Sequence, residues 1–189
     1  MGLLDFLPTR ERVARDRAAA RLYAAAVTQA RLPGLYQSLG APDTLEGRFE
    51  LIVIHVHLLC RRLPEAGAAG AALAQTVFDT MFHDMDRNLR ELGVGDPSMP
   101  RRIKAMLEAY YGRINAYEEG LVAGGDRLAE TVARNVYNAK DLPSGATAIA
   151  DYMRRAAAAL EATDAAALMQ GDVAFASLYA SAALRAGGT

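Results

Sequence analysis

The stretch Phe78-Asp79-Thr80-Met81-Phe82-His83-Asp84-Met85-Asp86-Arg87-Asn88-Leu89-Arg90-Glu91-Leu92 decides the fold. Taken at about 100° per residue from Phe78, the residues Met81, Phe82, Met85, Leu89 and Leu92 fall within about 60° of one line. That is a single apolar stripe on a helix, with Asp79, His83, Asp86 and Arg90 along one flank. After the turn Gly95-Asp96-Pro97 the pattern repeats. Ile103, Met106, Leu107, Tyr110, Ile114, Tyr117 and Leu121 recur at helical spacing. A short connection makes the two helices neighbours.

Outward from this pair, helix signals continue. The chain holds 39 alanines in 189 residues, in long stretches free of proline. Alanine is the best helix former and a poor strand former. Pro8-Thr9 opens a helix to about Arg31, ended by Pro33-Gly34, and a loop follows through Pro42. Asp43 with Glu46 reads as a capping box for a helix to about Leu63, although Leu51-Ile52-Val53-Ile54 is strand-like. Pro64 and Gly67 break that helix. Further helices are expected over about 68–92, 98–122, 126–140 and 144–162, with Asp164 and Asp172 capping two short terminal pieces. The expected fold is an all-α, single-domain bundle of about six to eight helices spanning 1–189.

Composition narrows the function. Lys and Arg total 21 against 22 acidic residues, a net charge of −1 that argues against a bulk nucleic-acid binder, and no sequence-specific nucleic-acid partner is expected. One cysteine, Cys60, excludes a disulfide framework and a cysteine-based zinc site. No secretory signal is visible at the start, and the longest apolar run, Leu51 to Cys60, is too short to span a membrane. The expected location is cytoplasmic, or peripheral at the inner face of the cell membrane. Basic residues cluster in two places: six arginines between Arg10 and Arg31, and Arg101, Arg102 and Lys104. The second cluster opposes the helix dipole and suits an anionic partner, a ribosome or a membrane surface.

Catalytic and metal signals are weak. His55 and His57 lie about 200° apart on a helix and cannot share a metal, so they are read as histidines at the border of a buried helix. Asp79, His83 and Asp86 share a face but lack a second matching motif, so an i,i+4 network of Asp79 with His83 and Asp86 with Arg90 is the better account. No nucleophile elbow or phosphate loop is present, and no enzymatic activity, metal or cofactor is expected. Methionine and tyrosine are instead dense on the two central helices. Both suit a surface that accepts varied apolar partners. Tyr110 and Tyr111 are adjacent, about 100° apart, so one helix face cannot bury both.

The block Phe78–Asp96, followed by Met99-Pro100-Arg101-Arg102-Ile103-Lys104 and Tyr110-Tyr111-Gly112-Arg113, resembles the ubiquinol–cytochrome c chaperone family. The likeness covers roughly 29–142. It implies an assembly chaperone for the cytochrome bc1 complex that holds newly made cytochrome b. Mitochondrial members work near the ribosomal tunnel exit with a small helical co-chaperone. With no Arg- and Ser-rich transit peptide, this chain looks like a bacterial member. A holdase for apolar helices needs an adaptable apolar groove with a polar rim. The expected groove residues are Phe78, Met81, Phe82, Met85, Met99, Met106, Tyr110, Tyr111 and Tyr117. Asp84, Asp86, Arg90, Gly93, Gly95, Asp96 and Arg113 are its polar and structural motif. Two rivals remain: a helical scaffold or regulator with another client, and a metal- or haem-dependent enzyme.

Overall fold

The computed structural model describes residues 10–91 and 99–179, with side chains placed except at 89–91, 99–107 and 109. Among the described residues, eight α-helices follow in order: α1 (Arg10–Ala30), α2 (Pro33–Gln37), α3 (Leu45–Arg62), α4 (Gly67–Glu91), α5 (Met99–Ala123), α6 (Arg127–Val136), α7 (Ser144–Glu161) and α8 (Ala165–Met169). A 3-10 turn, Leu63–Ala66, joins α3 to α4, and no strand occurs among the described residues. The expected all-α bundle is what forms.

α3 is the axis. From Val53 to Leu59 every residue is buried, because α1 and α4 pack on one side while α5, α6 and α7 close the other. Enclosure on all sides explains why an unbroken apolar run, strand-like by composition, is a helix here. Its first turn is capped by Thr44, whose hydroxyl accepts from Gly47 N at 3.1 Å. Asp43, expected in that role, pairs with Arg48 instead. The cap moves one residue on because Thr44 holds the extended backbone (φ −107°, ψ 169°) that an N-cap requires.

α7 runs parallel to α3. Tyr152 meets His55, and seven residues on, the buried Arg62 side chain donates to the carbonyls of Leu160 and Thr163 at 3.0 and 3.1 Å. A cation thus closes the carboxyl end of α7, where the helix dipole favours it. Alanines make close approach possible: Ala146, Ala150, Ala156 and Ala157 of α7 are buried, as are Ala18, Ala19, Ala26 and Ala30 of α1. Gly145 is required where α7 starts, since a Cβ there would lie 1.9 Å from the Leu39 carbonyl oxygen.

Two expectations at the ends change. Pro33-Gly34 does not simply end α1; it nucleates the short α2, with proline in the first turn. Asp172 caps no helix. It pairs with Arg21 of α1, and the chain beyond it runs as a strap. Along that strap Phe175 stacks edge-on against His55, and the carbonyls of Ala176 and Leu178 accept from Gln29 and Arg155. Among the described residues no helix is long and apolar enough to cross a membrane.

Candidate functional site

Where α4 passes α5, four aromatic rings meet. Phe78 lies 4.6 Å from Phe82, 5.0 Å from Tyr110 and 6.3 Å from Tyr111, centroid to centroid. Phe82 and Tyr110 meet edge to face at 5.9 Å. These tilted and T-shaped contacts are the favourable arrangements for π-systems. The cluster is graded in depth. Tyr110 is 2% exposed, Phe78 and Phe82 are half-buried, and Tyr111 is 54% exposed. The adjacent tyrosines therefore divide as their helical angle demands, one inward and one outward. Burial raises the Tyr110 hydroxyl pKa well above that of an ordinary phenol, so this ring is neutral.

The stripe read on α4 splits in two. Met81 turns fully into the core, beside Leu73 and Val77, which the stripe did not include, whereas Phe78, Phe82 and Met85 sit half-buried at its margin. Met81, Tyr110 and Tyr117 are thus core residues rather than walls of a surface groove, and the reason is geometric. α4 is flanked by both α1 and α3, so its apolar face serves the interior first. Phe78, Phe82, Met85 and Tyr111 remain as the surface-accessible part of the expected set. The side chains of Met99, Met106, Arg90, Arg101, Arg102 and Lys104, and the residues Gly93, Gly95 and Asp96, lie outside the described residues.

The motif's polar residues hold the scaffold behind this face. Asp84 accepts from the Tyr23 hydroxyl of α1 at 2.8 Å and pairs with Arg87 one turn on. It ties α1 to α4 beside Met85. Burial and the Asp84 carboxylate together push the Tyr23 hydroxyl pKa far up. Asp86 is half-buried on the same helix. His83 donates through Nδ1 to the Asp79 backbone carbonyl, 2.8 Å away, while the Asp79 carboxylate accepts from Gln75. The Asp79–His83 link is therefore made by backbone, not by the side-chain pair that the spacing suggested.

Arg113 of α5 reaches inward to Glu50 of α3 in an ion pair. Glu50 is 2% exposed, and burial lifts its pKa to about 7 against the opposing pull of Arg113 and the Tyr117 hydroxyl. Tyr117, fully buried, faces both Glu50 and Asn135 of α6, although its hydroxyl closes no hydrogen bond of full geometry with either. Two turns along α3 from Glu50, His57 approaches Glu118 at 3.6 Å, and Arg61 bridges Glu118 and Glu161 at 3.2 and 2.8 Å. This polar seam fixes α5 against α3, and only Arg113 and Tyr117 of it were foreseen. Glu50 sits in an apolar helix with no periodic signature, and its partner is 63 residues away.

The histidines are not at a border. His55 is fully buried and His57 6% exposed, and burial lowers each pKa to about 4. The Leu51 carbonyl, which can only accept, fixes the His55 proton on Nδ1 at 2.6 Å. Nε2 then accepts from the Tyr152 hydroxyl at 2.8 Å, and Gln29 donates to that same oxygen at 3.0 Å. Both ring nitrogens are occupied by a structural chain linking α1, α3 and α7.

Residues 37–175 match the family described as ubiquinol-cytochrome C chaperone. The chain belongs to that family. The match starts later than 29 and runs well past 142, into the strap. α7 is alanine-rich and offers few distinctive residues, yet the fold needs it as the wall of α3. Relatives include ubiquinol-cytochrome-c reductase complex assembly factor 1 of Xenopus laevis, 25% identical over 78% of this chain and 74% of that protein. The mouse protein of the same name is 24% identical over 73% of this chain but only 47% of its own length. The chain thus spans about half of the mouse protein. A crystal structure of the Cbp3 homolog from Brucella abortus superposes with a TM-score of 0.81 at 32% identity, covering 89% of this chain and 94% of that one.

Proposed function

We propose that this protein is an assembly chaperone of the ubiquinol–cytochrome c reductase complex and that its client is newly made cytochrome b. The observation that carries the reading is the family match over 37–175. The α4/α5 face gives it a physical basis. A cytochrome b helix is apolar all round and needs cover until it is assembled. Half-buried Phe78, Phe82 and Met85, with exposed Tyr111, offer adaptable apolar and aromatic contact on a frame held rigid by Asp84–Tyr23 and Glu50–Arg113. The activity is binding, with no catalytic step. Under this reading the ribosome exit, the inner face of the membrane and a small helical co-chaperone are the surroundings in which the client is received.

The test is capture of a cytochrome b transmembrane peptide by the parent, by Tyr111→Glu and by Met85→Glu, with the thermal midpoint measured on each. Because Tyr111 is mostly exposed, its charge variant keeps its fold and loses capture. Undiminished capture by both folded variants removes the face from the account. Equal capture of an unrelated apolar helix favours a general scaffold over a dedicated chaperone.

A further inference from the structure

Beyond Gly171 the strap, 172–179, follows the line of α1, and its anchors give its conformation. Asp172 pairs with Arg21, the Ala176 carbonyl accepts from Gln29 at 3.3 Å, and Tyr179 lies over Gly34 of α2. Arg21 and Gln29 stand about 12 Å apart along the helix axis. The strap covers that span between Asp172 and Ala176 at about 3 Å per residue, so it is nearly fully extended. Two of its side chains plug the surface beneath. Phe175 meets the His55 ring of α3 at 5.2 Å and 87°, and Leu178 is buried. Gly34 leaves room for the second plug, since a Cβ there would come within 2.8 Å of the Leu178 side chain. Arg155 of α7 donates to the Leu178 carbonyl at 2.8 Å. Among the described residues no backbone–backbone hydrogen bond involves 173–179. The strap is therefore held by groove side chains and two plugs, without a ladder of its own. Such a segment opens at far lower free energy than a core helix.

We propose that this groove, walled by α1, α2, α3 and α7, is a docking site for an extended segment of a partner protein, with the strap as its built-in competitor. The strap displays what the groove reads. It offers a carboxylate to Arg21, an aromatic ring three residues on to His55, a leucine three further to the space that Gly34 leaves, and carbonyls to Gln29 and Arg155. Main-chain bonds for affinity and pockets for spaced side chains are how extended peptides are recognised. A second copy of this chain is a poorer occupant. Its strap would make the same contacts, while the tethered one competes at an effective concentration of about millimolar. A partner segment with the same pattern and further contacts wins that competition. The groove shares no named residue with the α4/α5 face, so the inference stands apart from the client assignment.

The probe is a fluorescein-labelled peptide of residues 172–179, its binding to the full chain read by anisotropy. The parent, with its groove occupied, is expected to bind it weakly. Leu178→Ala loosens the strap's own plug and raises peptide affinity at least about tenfold, since apparent affinity follows the fraction of open groove. Asp172→Arg, at an exposed position beside Arg21, also raises it and leaves the core untouched. Adding Arg155→Ala to Leu178→Ala removes a groove donor and loses about tenfold. A peptide with serine at the Phe175 and Leu178 positions does not bind. All variants keep capture of the cytochrome b peptide, which separates failure here from failure of the proposed function. The proposal is overturned if Leu178→Ala and Asp172→Arg gain no peptide affinity, if the Arg155→Ala double variant binds as Leu178→Ala does, or if the serine peptide binds equally. It is also overturned if Asp172→Arg lowers the thermal midpoint by more than about 5 °C, which makes the strap part of the frame. Sedimentation velocity of the parent tests the choice of occupant: a micromolar dimer that the peptide dissociates assigns the groove to a second copy instead.

Discussion

Glu50 is a carboxyl group in the axis helix, 2% exposed, with Arg113 as its counter-ion. Its pKa is about 7 in the folded chain against an ordinary value of 4.5. Between those pH values the folded state holds more protons than the unfolded one, so this group's contribution to stability falls as pH rises from about 4.5 to about 7. Glu50→Gln abolishes that slope. The stability of the variant relative to the parent should therefore improve between pH 5 and pH 8, by up to about 3 kcal/mol. Urea unfolding at the two pH values measures it, and a pH-independent difference would refute the assignment. His55 and His57 act in the other direction. With folded pKa values of about 4, their contribution is complete above about 6.5 and is lost as pH falls toward 4. His55→Gln should accordingly flatten the acid limb of the parent's stability curve, read from thermal midpoints between pH 4 and 7.

Between elements, the decisive contacts are few and specific. Tyr23 to Asp84 holds α1 on α4, and Tyr23→Phe leaves a part-buried carboxylate short of one donor. Loss of such a hydrogen bond costs about 1–3 kcal/mol, measurable by chemical denaturation with little change in the denaturant slope. The α4 stripe provides a sharper contrast. Met81→Glu places a charge at a fully buried site and should unfold the protein or cost several kcal/mol. Tyr111→Glu, at a site 54% exposed, should change stability by no more than about 0.5 kcal/mol. Equal thermal midpoints for the two variants would contradict the depth grading of the aromatic face. This contrast also marks what the sequence could express. Period 3.6 identified α4 and α5 and their apolar faces. It could not say that the face of α4 divides between core and margin, because the division depends on α1 and α3 flanking the same helix. Likewise the Pro33-Gly34 pair reads as a stop, while its role as the first turn of α2 depends on Leu35 finding a place in the core.

Across the whole molecule, helix class and order were legible because alanine runs and Pro/Gly breaks are local signals. The central position of α3, the parallel pairing of α3 with α7 and the return of the strap to His55 were not, since each rests on contacts between distant parts of the chain. The family block 78–113 was legible as a whole, yet its residues turn out to do different work. Asp84 and Arg113 brace, Met81 and Tyr110 fill the core, and Phe78, Phe82 and Tyr111 face outward. Under the proposed function the α4/α5 face is the working surface, and the other parts are frame. The most direct measurement is site-specific photocrosslinking during synthesis of cytochrome b, with a photoreactive residue placed in turn at Tyr111, Phe82, Leu45 and Leu142. Leu45 and Leu142 are also exposed, at 59% and 43%, but lie off this face. The account predicts adducts with cytochrome b from positions 111 and 82 and none from 45 or 142. Adducts from 45 or 142 with none from 111 and 82 would contradict it.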